Sequence, residues 1–165
     1  MYPSSTLTDS LFMKSIPNLL VIAIGNPARG DDGLGPRLIE ELKTHKLESP
    51  NFLWVYQLAI EHAELFSKFP TVIIVDAARR GPGPFQFIPV LPSQDTYFSS
   101  HVLRPENVVA LTQLLYQARP KVFLLAIRGE SFELSEKLSQ AAETHLAHSF
   151  NFLHDFMLKF PDDAD

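Results

Sequence analysis

Leu19-Leu20-Val21-Ile22-Ala23-Ile24-Gly25-Asn26-Pro27-Ala28-Arg29-Gly30-Asp31-Asp32-Gly33-Leu34-Gly35 decides how the chain folds. Leu19 to Ile24 is a short, unbroken apolar run, which marks a strand covered on both faces. The glycines that follow let the backbone bend sharply or approach a partner closely. Leu34, Leu38, Ile39 and Leu42 then recur at helical spacing, and Pro36 lies near the helix start, where a missing N–H does no harm.

Working outward, the same alternation continues. Phe52 to Leu58 reads as a second strand and Glu61 to Lys68 as a short helix. Thr71 to Val75 is rich in β-branched residues and runs directly into Asp76, as a third buried strand would. Gly81-Pro82-Gly83-Pro84 breaks the chain before Phe85 to Val90, which reads as an edge strand. A helix is expected from about Pro105 to Ala118, a strand over Lys121 to Ile127, a polar loop over 128–138 and a last helix over Ser139 to Lys159. Strands alternating with helices predict a three-layer α/β sandwich, with a mostly parallel twisted sheet of about five strands and helices on both faces. The 165 residues fit a single domain, with residues 1–17 as a loose leader and 161–165 as an acidic tail.

Composition narrows the function. A net charge of −5, with Arg79-Arg80 as the longest basic run, argues against a nucleic-acid binder. The absence of cysteine removes disulfides, a thiolate nucleophile and sulfur-based zinc sites. No apolar run approaches the ~20 residues of a membrane span, and the amino-terminal residues lack a signal-peptide pattern. A cytoplasmic protein is expected, with no membrane or nucleic-acid partner.

In open α/β sheets, ligands lie beyond the carboxyl ends of the strands. Three groups follow such ends: the turn from Gly25 to Gly35, Asp76 after the third strand, and His101 in the loop after the edge strand. The turn lacks G-x-G-x-x-G spacing, and its two aspartates would repel a phosphate, so a metal or cationic ligand fits better. Asp31 and Asp32 are also suited to capping the next helix; one capping while the other faces the cleft satisfies both readings. A carboxylate directly after a buried strand needs solvent, a partner or a metal, so Asp76 either bonds loop amides or binds a ligand. His101 is either a capping or surface group or a ligand. His45, His62, His145, His148 and His154 fall on or beside helical faces and receive no role. Two carboxylates and an imidazole make an O,O,N set that suits nickel, zinc or another divalent transition ion.

With those residues in hand, the chain resembles the [NiFe]-hydrogenase maturation endopeptidase family. Ile22-Ala23-Ile24-Gly25-Asn26 followed by Asp31-Asp32-Gly33-Leu34-Gly35 is similar to the family's opening motif, G-N-x-x-x-x-D-[DE]-G-x-G. Val72 to Ala77 resembles its second motif, Ser99-Ser100-His101 its third, and Leu125 to Glu133 with Leu138-Ser139 its closing strand and loop. The likeness spans about Leu19 to Phe156.

The resemblance implies a protease that removes a C-terminal peptide from the hydrogenase large-subunit precursor after nickel insertion. The substrate's nickel would be the recognition signal, with no organic cofactor. By position, the metal-contacting and catalytic residues would be Asp32, Asp76 and His101. Many members have Glu where Asp32 stands, one methylene longer. Gly25, Asn26, Asp31 and Gly33 would support the turn, and Glu61 would contribute from behind the metal-contacting residues. Asp32 or Asp76 would serve as general base toward a metal-activated water, with His101 as ligand or acid. A shallow site on a monomer would suit a folded protein substrate. The rival readings are a metal-dependent phosphohydrolase, which a required His101 counts against, and a non-catalytic nickel-binding accessory protein.

Overall fold

A computed structural model describes residues 16–45, 51–95 and 103–161. Five strands form one sheet in the order β2-β1-β3-β5-β4. The strands are β1 (Leu19–Ile24), β2 (Phe52–Val55), β3 (Thr71–Ala78), β4 (Phe85–Pro89) and β5 (Lys121–Arg128). The helices are α1 (Leu34–Thr44), α2 (His62–Ser67), α3 (Pro105–Tyr116) and α4 (Gln140–Leu158). This is the α/β sandwich expected from the alternation of apolar runs and helical periodicity. Among the described residues, no helix is long and apolar enough to cross a membrane.

Side-chain alternation along the strands builds a core on each side of the sheet. Leu19, Val21, Ala23, Ile73, Val75, Leu125 and Ile127 face α1 and α4, together with Leu38, Leu42, Leu146 and Leu153. Leu20, Ile22, Val72, Ile74 and Val122 face α2 and α3, with Phe66, Val108 and Leu111. Many of the phenylalanines gather where β4 and β5 meet α4. There the Phe87 ring lies 5.0 Å from both Phe123 and Phe152 and 5.5 Å from Phe156, within the range in which aromatic pairs attract.

The strand register positions the site. Ala23 pairs with Val75, so Ile24 ends β1 level with Asp76. β3 runs to Ala78, placing Asp76 inside the strand, one residue beyond the fully buried Val75. The alternation that sends Val72 and Ile74 toward α2 and α3 sends Asp76 to that side as well.

β4 is the edge strand expected from Phe85 to Val90, but its carboxyl end does not reach the site. β4 is antiparallel to β5, with Phe85 opposite Ile127 and Pro89 opposite Phe123, so its carboxyl end lies at the end of the sheet away from Asp76. Residues after it must return before joining the site. Ser93 N–H donates to Glu106 O (2.9 Å) and Leu103 N–H to Leu58 O (3.2 Å), which brings the start of α3 back to the carboxyl ends of the parallel strands. His101, expected after the edge strand, lies outside the described residues, as do Ser99 and Ser100.

Candidate active site

The turn after β1 is shaped by backbone that only glycine tolerates well. Gly25 has φ 144°, and a Cβ there would run into the backbone carbonyl oxygen of Asp32. That close approach folds the 3-10 turn Gly30–Gly33 back over the end of β1. The Asn26 N–H donates to Asp32 Oδ2 at 2.8 Å, and the Ala28 N–H to Asn26 Oδ1 at 3.0 Å. Trp54, near the end of β2, donates its indole N–H to Gly25 O at 2.9 Å. Asn26 therefore aims Asp32 through its backbone and braces the turn through its side chain.

Asp31 and Asp32 part company here. Neither caps α1, whose N-cap is Gly33 with no side-chain hydrogen bond. Asp31 is 0% exposed and reaches across to the loop between β5 and α4. Its Oδ2 accepts the N–H groups of Glu130 (2.7 Å) and Ser131 (2.9 Å) and the Ser139 hydroxyl (2.7 Å). Its Oδ1 accepts the Ser139 N–H at 2.7 Å. Ser139 in turn accepts the Ala142 N–H as the N-cap of α4. Burial alone would raise the Asp31 pKa. Those donors outweigh it and hold the carboxyl below its ordinary 3.8. The capping expected of Asp31 gives way to this bond set because the 129–139 loop supplies more donors than a helix start would.

Asp32 and Asp76 meet at an open cavity of about 460 Å³ at the carboxyl ends of β1 and β3. Its other lining residues include Gly25, Tyr56, Gln57, Arg79, Arg104 and Phe132. The Asp76 side chain accepts the N–H of Ala77, at 2.8 Å to Oδ1. Burial, and to a lesser degree the negative charge of Asp32, raises its pKa from 3.8 to about 7 against that N–H. Two carboxylates sharing a partly desolvated cavity repel each other. A proton on one of them, or a divalent cation between them, relieves that repulsion, and oxygen donors of this kind accept either.

Gly25 and Asn26 belong to the turn that carries Asp32, and Gly33 packs it against Pro27. Glu61 is exposed at the N-terminus of α2 and is not among the residues lining the cavity. Among the described residues, no three His, Cys, Asp or Glu side chains form a metal-holding group; Asp32 and Asp76 contribute two. Sequence reasoning missed Tyr56, Gln57, Arg79, Arg104 and Phe132. Tyr56 and Gln57 follow β2 and fall under the strand-end rule that picked out Asp76. Arg104 and Phe132 carry no such signal; α3 and the 129–139 loop bring them in.

No protein-family model and no curated protein matches the chain. Solved structures do. Hydrogenase maturating endopeptidase HybD from E. coli superposes with a TM-score of 0.65 at 18% identity, over 86% of this chain and 93% of that one. The [NiFe] hydrogenase maturation protease HycI from Thermococcus kodakarensis KOD1 gives 0.65 at 23% identity, over 86% and 94%. Hydrogenase 2 maturation peptidase from Thaumarchaeota archaeon SCGC_AB-539-E09 gives 0.62 at 18% identity, over 85% and 97%. The chain has the fold of the hydrogenase maturation endopeptidases.

Proposed function

We propose that this protein is an endopeptidase that removes the C-terminal extension from the nickel-loaded precursor of a [NiFe]-hydrogenase large subunit. The observation that carries the reading is the convergence of Asp32 and Asp76 on one open cavity, in a fold shared with proteins named for that maturation step. The ion would arrive as part of the substrate. Asp32 and Asp76 would grip it from the protein side, with His101, which precedes α3 in the sequence, as the third contact. The rest of its coordination would belong to the precursor and to water.

The residues present suit that task. The Asp32–Asp76 pair is the electronegative wall of the cavity, and a divalent ion arriving with the substrate would displace the proton that Asp76 holds near pH 7. Bound nickel would polarise the scissile carbonyl and acidify a water. Asp32 or Asp76 would accept that water's proton, and His101 would act as ligand or as acid toward the leaving amine. The open form of the cavity suits a folded protein that presents its C-terminal segment. The protein would act in the cytoplasm as a monomer, without an organic cofactor.

The test is a gel-shift assay on the nickel-loaded large-subunit precursor from the same organism. Conversion to the shorter form by the wild-type protein, absent from Asp32→Asn and Asp76→Asn, is the expected result. An unshifted precursor with the wild-type protein overturns the reading. Turnover of generic phosphoesters would instead favour a phosphohydrolase, and tight stoichiometric nickel binding without cleavage a metal-carrying accessory protein.

A further inference from the structure

The cavity that holds the acid pair also contains an arginine that the protease reading leaves unused. Arg79 is the first residue after β3, three positions beyond Asp76. Its guanidinium lies over the Phe132 ring at 4.1 Å from the centroid, and both residues line the cavity. Stacking on an aromatic face occupies the flat side of a guanidinium and leaves the N–H donors at its edge free for a planar two-oxygen partner. Among the described residues, no carboxylate lies within ion-pair distance of Arg79. Arg104, the other arginine in the cavity, is exposed like Arg79 but is directed toward Glu106 at 3.7 Å. The cavity thus has an acidic wall at Asp32 and Asp76 and a cationic, ring-braced position at Arg79. An anion entering it is repelled from the first and held at the second.

We infer that Arg79 is a specificity-determining residue that binds a carboxylate of the substrate's C-terminal segment while the ion engages the acid pair. The inference rests on the protease reading for the identity of the segment. The carboxylate is either the chain-terminal one or an acidic side chain, and both present the same two-oxygen edge to the guanidinium fork.

Two measurements test it. The first needs no cleavage: the Arg79 side-chain Nε–H resonance is followed by NMR while short blocked alanine peptides are added to the metal-free protein. One peptide ends in a free carboxylate, one is amidated with an internal Glu, and one is amidated and neutral. A saturable shift at Arg79 with either charged peptide, absent with the neutral one, is expected; which peptide acts identifies the source. No shift, or equal shifts at Arg79 and Arg80, overturns the inference. The second is kinetic. Arg79→Gln is expected to raise KM for the precursor about tenfold with kcat within about twofold, Arg79→Lys to fall between, and Arg80→Gln to match wild type. An unchanged KM in Arg79→Gln overturns the carboxylate role while leaving the protease reading intact. If wild type cleaves nothing, the protease reading falls and the NMR titration alone decides whether Arg79 binds carboxylates.

Discussion

Asp31 and Asp32 are adjacent, equally charged and on the same 3-10 turn, yet they serve opposite ends. Around Asp31 both carboxylate oxygens are used, water is excluded, and the turn is joined to the 129–139 loop and the cap of α4. Around Asp32 and Asp76 two carboxylates share a partly open cavity, each receiving one backbone N–H among the described residues. The difference teaches which region holds the fold and which is kept unsatisfied for a ligand. Satisfied donors and acceptors stabilise; desolvated acids with few donors cost stability and persist where something else binds.

The strongest way to break this comparison is to remove the charge at the cavity. Asp32→Asn and Asp76→Asn are each expected to lower precursor cleavage by at least about 100-fold, the scale of a lost ligand or base, with the folded structure retained by circular dichroism. Cleavage near the wild-type rate in both would assign the cavity no chemistry. Next in size is the anchor. Asp31→Ala leaves the part-buried N–H groups of Glu130, Ser131 and Ser139 without their acceptor, and a loss of about 2–4 kcal/mol in denaturant unfolding is expected. A loss below about 1 kcal/mol would mean that water replaces the carboxylate.

Acidity sharpens the contrast because the two shifts have opposite sign. Asp31 is lowered from 3.8, so its contribution is fully present above about pH 4 and is lost as pH falls through its folded pKa. Asp76 is raised from 3.8 to about 7, so its contribution is fully present below about pH 4 and is lost as pH rises through 7. Asp76→Asn cannot ionise, and in metal-free buffer it should gain stability over wild type between pH 4 and 8, by on the order of 2 kcal/mol. A pH-independent difference would show that the fold does not raise the Asp76 pKa. The smallest effect is expected at Glu61: exposed and outside the cavity lining, Glu61→Gln should leave both cleavage and unfolding midpoint unchanged. A marked fall in cleavage would return it to the site.

Much of this is legible in the sequence. Unbroken apolar runs such as Leu19–Ile24 and Thr71–Val75 signal strands covered on both faces, because only helices on each side of a sheet make such runs favourable. From that pattern alone come the layered α/β fold and the rule that directs attention to the turn after β1 and to Asp76. Period and polarity are local properties, so sequence carries them.

Which aspartate anchors and which faces the cavity was not legible, since Asp31 and Asp32 differ only in direction. That choice depends on where the loop 98 residues further on presents its N–H groups, from Asp31 to Gly129. The antiparallel run of β4 is equally hidden: a short strand looks the same in either direction, and pairing with β5 decides it. So is the placing of Phe132 beneath Arg79, residues joined only because β3 and β5 are neighbours in the sheet. Sequence by itself determined the elements and the residue types able to bind an ion. Tertiary structure decided which of them share a space, because distance between residues remote in the chain is set by packing and strand pairing, and no local pattern encodes it.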